Sequence, residues 1–141
     1  MTDDKRLGLA LLLMRLSVFL VMLMWTLDKF LRPAHAAGVF EHFYTMGGLG
    51  STVFYLLGAL ELLLLLVFVA GLAQRFSYGV VLVLHAVSTL SAWRQYLHPQ
   101  EGMNLLFFAA WPMLAACLAL YLLRGHDRYA LGSRTAPGTL R

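Results

Sequence analysis

Charge and cysteine are what this chain has least of. Only 13% of its 141 residues are Asp, Glu, Lys or Arg, against 60% hydrophobic residues and a mean hydropathy of +0.73. A soluble domain carries about twice that share of charge, so a soluble globular class is excluded and a membrane is the implied solvent. Cys117 is the single cysteine, which rules out an intrachain disulfide, a CxxC redox pair and a thiolate metal site. The net charge of +4 does not argue for nucleic acid, because the basic residues gather at the ends of apolar runs and not on one surface. The first apolar run lacks a small-residue cleavage site and is longer than a signal-peptide core, so it reads as a retained helix.

The chain does contain long apolar runs. Residues 7–31, 52–72, 78–97 and 103–123 each supply the roughly 20 helical residues that a bilayer core about 30 Å thick requires. The turns AQRFS and HPQEG are short enough to force antiparallel neighbours, and the short alternating segments of a β-barrel are missing. The expected fold is therefore all-α: a single domain over 1–131, built as an antiparallel bundle of four transmembrane helices. A small, polar, proline-containing tail over 132–141 reads as flexible. Between the first two spans, AAGVFEHFYTM sets apolar residues near helical spacing, which predicts a short interfacial helix.

Orientation follows from the basic residues. Lys5, Arg6, Arg75, Arg124, Arg128, Arg134 and Arg141 fall on the side holding both termini, against Lys29, Arg32 and Arg94 opposite. By the positive-inside rule both termini are expected in the cytoplasm, in a cytoplasmic membrane of bacterial type. Trp25, Tyr44, Tyr55, Trp93 and Tyr96 lie near the outer span ends, where amphipathic rings anchor. Pro112, after Trp111, removes a backbone donor in mid-span and predicts a kink in the fourth helix.

The residues that hydropathy forbids carry the chemistry. Arg15, Glu61 and His85 lie inside the first, second and third spans, where a charge costs at least a few kcal/mol and must face a partner. At about 1.5 Å rise per residue, Arg15 and His85 stand roughly 11 Å, and Glu61 roughly 16 Å, from the inner span ends. One layer is expected, with Arg15 and Glu61 as a fork-shaped ion pair and His85 alongside. Such a cluster suits either proton handling and the headgroup of a quinone or a helix-locking pair without chemistry. His85 is the one histidine within a span, so bis-histidine haem is not expected. Cys117, flanked by apolar residues, reads as a small core residue.

A second polar layer collects at the outer ends, from Asp28, Lys29, Arg32, Arg94, Glu101 and Asn104. Asp28 and Lys29 are neighbours and so point about 100° apart on a helix. Lys29 shares the face of Arg15, Met22 and Thr26, while Asp28 is free for Arg32 or Arg94. His35, Glu41, His42 and His98 are on the same side, but their spacing matches no compact ligand motif, and no metal is expected.

Arg15, the lysine-bearing end of the first span, Glu61, the following GLAQRF, the NLL of the fourth span and the RGHDRYAL tail together resemble the DoxX family of small four-helix membrane proteins. Over roughly residues 15–131, the matching polar positions are Arg15, Lys29, Glu61 and Asn104. WTLDKF stands where the family has a glycine-containing stretch before the lysine, and this chain has one cysteine. The resemblance implies a membrane subunit supporting quinone-linked redox chemistry, since relatives serve thiosulfate:quinone oxidoreduction or thiol and oxidative-stress systems, and related methylamine-utilisation proteins are maturation factors. On that expectation Arg15, Glu61 and His85 form the catalytic set, with Lys29 and Asn104 completing the quinone-binding set. Arg15 or His85 would donate to a quinone carbonyl, and Glu61 would orient that donor or relay a proton. The expected partners are the lipid bilayer and membrane or peripheral proteins, or further copies of the chain. The alternative is a non-catalytic anchoring or assembly subunit of a larger membrane oxidoreductase.

Overall fold

A computed structural model of the chain describes residues 2–134. Its long helices are α1 (Asp3–Leu31), α3 (Ser51–Ala70), α4 (Gln74–Ser91) and α6 (Ala110–Leu122). Two shorter ones, α2 (Pro33–Tyr44) and α5 (Trp93–Leu97), lie between them. The described residues contain 3-10 turns over Asn104–Ala109, Arg124–His126 and Leu131–Arg134, and no strand.

The four long helices close a ring in which α1 packs on α3 and α6, and α4 packs on α3 and α6. The core between them contains Leu11, Val18 and Met22 of α1, Leu65 and Phe68 of α3, Tyr78 and Val81 of α4, and Cys117 and Leu120 of α6. On α1 the buried positions Gly8, Leu11, Arg15, Val18, Met22 and Thr26 recur every three or four residues, the spacing of one helix face. Large residues on the opposite faces, such as Leu13, Leu20, Leu56, Leu63 and Leu122, are exposed. Such a surface is stable only against lipid or partner helices.

Three segments, Asp3–Leu31, Ser51–Ala70 and Asn104–Leu122, are long and apolar enough to cross a membrane. The expected third span, 78–97, is interrupted: α4 ends at Ser91 and α5 begins at Trp93. Its sequence also carries His85, Ser88, Thr89 and Ser91 among the apolar residues, which lowers its hydropathy below that of its neighbours. In the fourth span the proline expected in mid-helix lies near a helix start. Regular α-helix starts at Ala110 and 3-10 turns precede it, so Pro112 occupies the first turn of α6, where its missing donor matters least.

The connections follow from local chemistry. Arg32 breaks α1 and Pro33 opens α2 at its first position, where a fixed φ is favourable. α2 realises the expected short helix, and it packs on the ring through Phe40 against Phe54 and Phe43 against Phe107. Gly58 lies where a Cβ would come within 2.8 Å of the Phe30 ring, so its missing side chain permits the close approach of α1 and α3. α3 ends at Gly71 with φ +69°, and the amides of Gly71 and Leu72 return to the carbonyls of Phe68 and Val67. Of the expected flexible tail, Gly132–Arg134 belong to a 3-10 turn, and the Gly132 amide donates to the Gly71 carbonyl. Residues 135–141 of that tail lie outside the described residues.

Candidate functional site

The start of α1, the end of α3, the start of α4 and the end of α6 meet at one end of the ring, here called the near end. Arg15 reaches that end from α1 and is only 2% exposed. Its Nη1 donates to Asp127 Oδ2 at 2.7 Å and to the Tyr78 hydroxyl at 2.9 Å, and its Nη2 donates to the Tyr129 carbonyl at 3.1 Å. The Tyr78 hydroxyl in turn donates to Asp127 Oδ2 at 2.6 Å. Asp127 is fully buried. The segment after α6 therefore folds back across the near end and supplies the counter-ion that Arg15 requires.

This arrangement replaces the expected Arg15–Glu61 pair. Glu61 Oε2 instead meets Lys29 Nζ at 2.7 Å, the two side chains being 12% and 17% exposed, Lys29 the less. Lys29 Nζ also donates to the Trp25 carbonyl at 3.3 Å. Arg15 and Lys29 do share a face of α1, but about 21 Å of helix rise separates them. Glu61 is within reach of the second cation and Asp127 of the first. His85 joins neither pair: its Nε2 lies 3.0 Å from the Ala110 carbonyl, a contact in which the ring nitrogen must donate, and 3.3 Å from Thr89 Oγ1. It fastens α4 to the start of α6. Asn104 donates from Nδ2 to the His98 carbonyl at 2.9 Å and so closes the turn before the fourth span.

The five expected site residues thus fall in four places. Lys29 and Glu61 are brought together; Arg15, His85 and Asn104 are each committed elsewhere. Asp127, Tyr78 and Tyr129 were not anticipated as partners. Asp127 carried a readable signal, being the acidic residue that follows the fourth span on the side nearest Arg15. A buried arginine about 11 Å from that side needs a carboxylate there.

At the far end Asp28 takes its expected partner and adds another. Oδ1 accepts from Arg32 Nε at 2.7 Å and from Arg32 Nη2, and Oδ2 is 2.6 Å from His35 Nδ1. Arg94, the alternative partner, lies over the Trp93 ring at 5.4 Å. Among the described residues no group of three or more His, Cys, Asp or Glu is arranged to hold a metal ion. Two surface hollows, one lined by Gln74, Arg75 and Arg124 and the other by His42, Trp93 and Arg94, exclude all five expected site residues.

Compared with protein-family models, with curated proteins and with solved structures, the chain matches none.

Proposed function

We propose that this chain is a DoxX-like, four-span anchoring or assembly subunit of a larger redox complex in a bacterial-type cytoplasmic membrane, with both termini in the cytoplasm. The observation that carries this reading is the dispersal of the intramembrane polar groups. Each is bonded within the chain to at least one other segment: Arg15 ties α1 to α4 and the segment after α6, with its Nε and the Asp127 Oδ1 left without a hydrogen-bond partner, Lys29 ties α1 to α3, and His85 ties α4 to α6. Polar contacts so placed fix helix register. The exposed apolar faces remain for partner helices and lipid. α4 continued by α5 serves as the third span, with His85 turned to α6 and the hydroxyls of Thr89 and Ser91 bonded to carbonyls of α4 itself. The redox assignment rests on the resemblance to the DoxX family.

Lys29 and Glu61 support a second reading, in which the subunit itself holds a quinone. Arg15 and His85 do not fit that group: His85 Nε2 already donates within the chain, and Arg15 is 2% exposed, with Nη1 and Nη2 engaged and its unpartnered Nε buried. Lys29 does fit: its ammonium has three donors, and two contacts are made, to Glu61 and to the Trp25 carbonyl. A carbonyl-bearing ring between α1 and α3 would take the remaining donor, and Glu61 would hold or pass the proton. The quinone supplies the electron-accepting ring when bound.

Purification from native membranes separates the readings. Co-purification of a large oxidoreductase with less than stoichiometric quinone supports the anchoring role. Stoichiometric quinone that disappears in Glu61→Gln supports the second reading. A chain that purifies without either sinks both.

A further inference from the structure

Gln74 and Arg75 open α4, and Arg124 follows α6, so two arginines from separate elements border one hollow at the near end. The hollow measures about 460 Å³ and is lined by Ala73, Gln74, Arg75, Phe76, Arg124 and Gly125. It is open to the surface, and no acidic side chain lines it.

The cations there are unequal. Arg75 is exposed and has no hydrogen bond or ion pair to any described residue. Arg124 is held in place, its Nη1 donating to the Tyr121 carbonyl at 2.6 Å and its guanidinium stacked 4.7 Å from the Tyr121 ring centroid. The nearest carboxylate in sequence, Asp127, is spent on Arg15 and Tyr78 and neutralises neither. Gln74 also lines the hollow, but its Nε2 is buried and directed at the Tyr78 hydroxyl in the core. α4 begins there without a capping side chain, which adds the partial positive charge of a helix start. Phe76, which lines the hollow, is 66% exposed and gives these polar groups an apolar border.

We infer that this hollow binds a phosphate-bearing anion, with Arg75 and Arg124 clasping the phosphate oxygens and an acyl chain running over Phe76. Guanidinium groups match phosphate geometry, and basic pockets between helices on the cytoplasmic side suit anionic headgroups. The phosphate chemistry alone could come from a phospholipid or from a soluble phosphate; the apolar border selects the phospholipid.

The full chain in a neutral detergent tests this, with phosphatidylglycerol, phosphatidylcholine or inorganic phosphate added and the thermal midpoint and retained phosphorus measured. About one phosphatidylglycerol per chain should be retained and raise the midpoint, phosphatidylcholine should do neither, and Arg75→Gln and Arg124→Gln should each weaken retention about fivefold. Arg94→Gln, at the opposite end, should leave retention unchanged and serves as the control for general charge. Arg75 makes no contact that folding needs, so its variant keeps the test open if Arg124→Gln disturbs Tyr121. Stabilisation by inorganic phosphate equal to that by phosphatidylglycerol would overturn the lipid assignment in favour of a soluble phosphate. No preference over phosphatidylcholine, or equal loss in Arg94→Gln, would overturn the site itself.

Discussion

Two ion pairs cross the interior of this ring, and they are built differently. Arg15–Asp127 is sealed, with the guanidinium bonded to a carboxylate, a hydroxyl and a backbone carbonyl, and the carboxylate fully buried. Lys29–Glu61 has one carboxylate contact and one carbonyl of its own helix, and both side chains keep some exposure. The planar fork of arginine can engage two further segments at once, whereas an ammonium is a compact charge on a flexible stem. The sealed pair is accordingly suited to fastening, its unpartnered Arg15 Nε and Asp127 Oδ1 being shut away from any ligand, and the looser pair is the one whose spare donor is partly exposed.

Substitutions at the two pairs should separate them by size of effect. Asp127→Ala leaves a buried guanidinium without its counter-ion and should cost about 3–5 kcal/mol, read as a lowered thermal midpoint in detergent; a loss below about 1 kcal/mol would show that the near end is not sealed. Gly71→Ala attacks the same region from the backbone. Its Cβ would lie 2.5 Å from Arg15 Nη1 and within 2.4 Å of the Ala130 Cβ, at a φ of +69°. A loss of about 1–3 kcal/mol is expected, together with faster proteolysis of the segment after α6. At the looser pair Glu61→Gln should cost about 1–2 kcal/mol, because a freed Lys29 can extend its stem toward the far interface. If Glu61→Gln proves as damaging as Asp127→Ala, the contrast between the pairs fails. The smallest effect is expected at Arg32→Ala, whose partner Asp28 keeps His35; with Arg32 66% exposed the loss should stay below about 1 kcal/mol.

The helices were legible in the sequence because apolar runs of bilayer length have few other solutions. The face of α1 was legible too, through the spacing of Arg15, Met22, Thr26 and Lys29. Partner choice was not. Rise per residue gives a depth only from a known span end; the contact of Gly58 with Lys29 shifts α3 about 12 Å along α1 from where span ends at residues 7 and 72 put it, and Glu61 then falls to Lys29. Asp127 escaped for a different reason. It stands in a short polar segment that hydropathy assigns to water, and only the tertiary fold shows that this segment lies under Gly71 and buries Asp127 and Ala130. The hydrogen bond of His85 to the Ala110 carbonyl was beyond reach for the same reason, since a backbone acceptor leaves no mark on the sequence.

Residues 15 and 127 stand 112 positions apart, and that separation has a consequence for biosynthesis. α1 emerges from the ribosome with its arginine long before any chemical match for it exists, so the guanidinium must wait hydrated near the membrane surface while three further helical segments are made. The carboxylate that lets it settle follows all four long helices. Insertion is thus completed by a late event at the near end, and a nascent chain halted before residue 127 should stay loosely assembled and open to quality-control proteases.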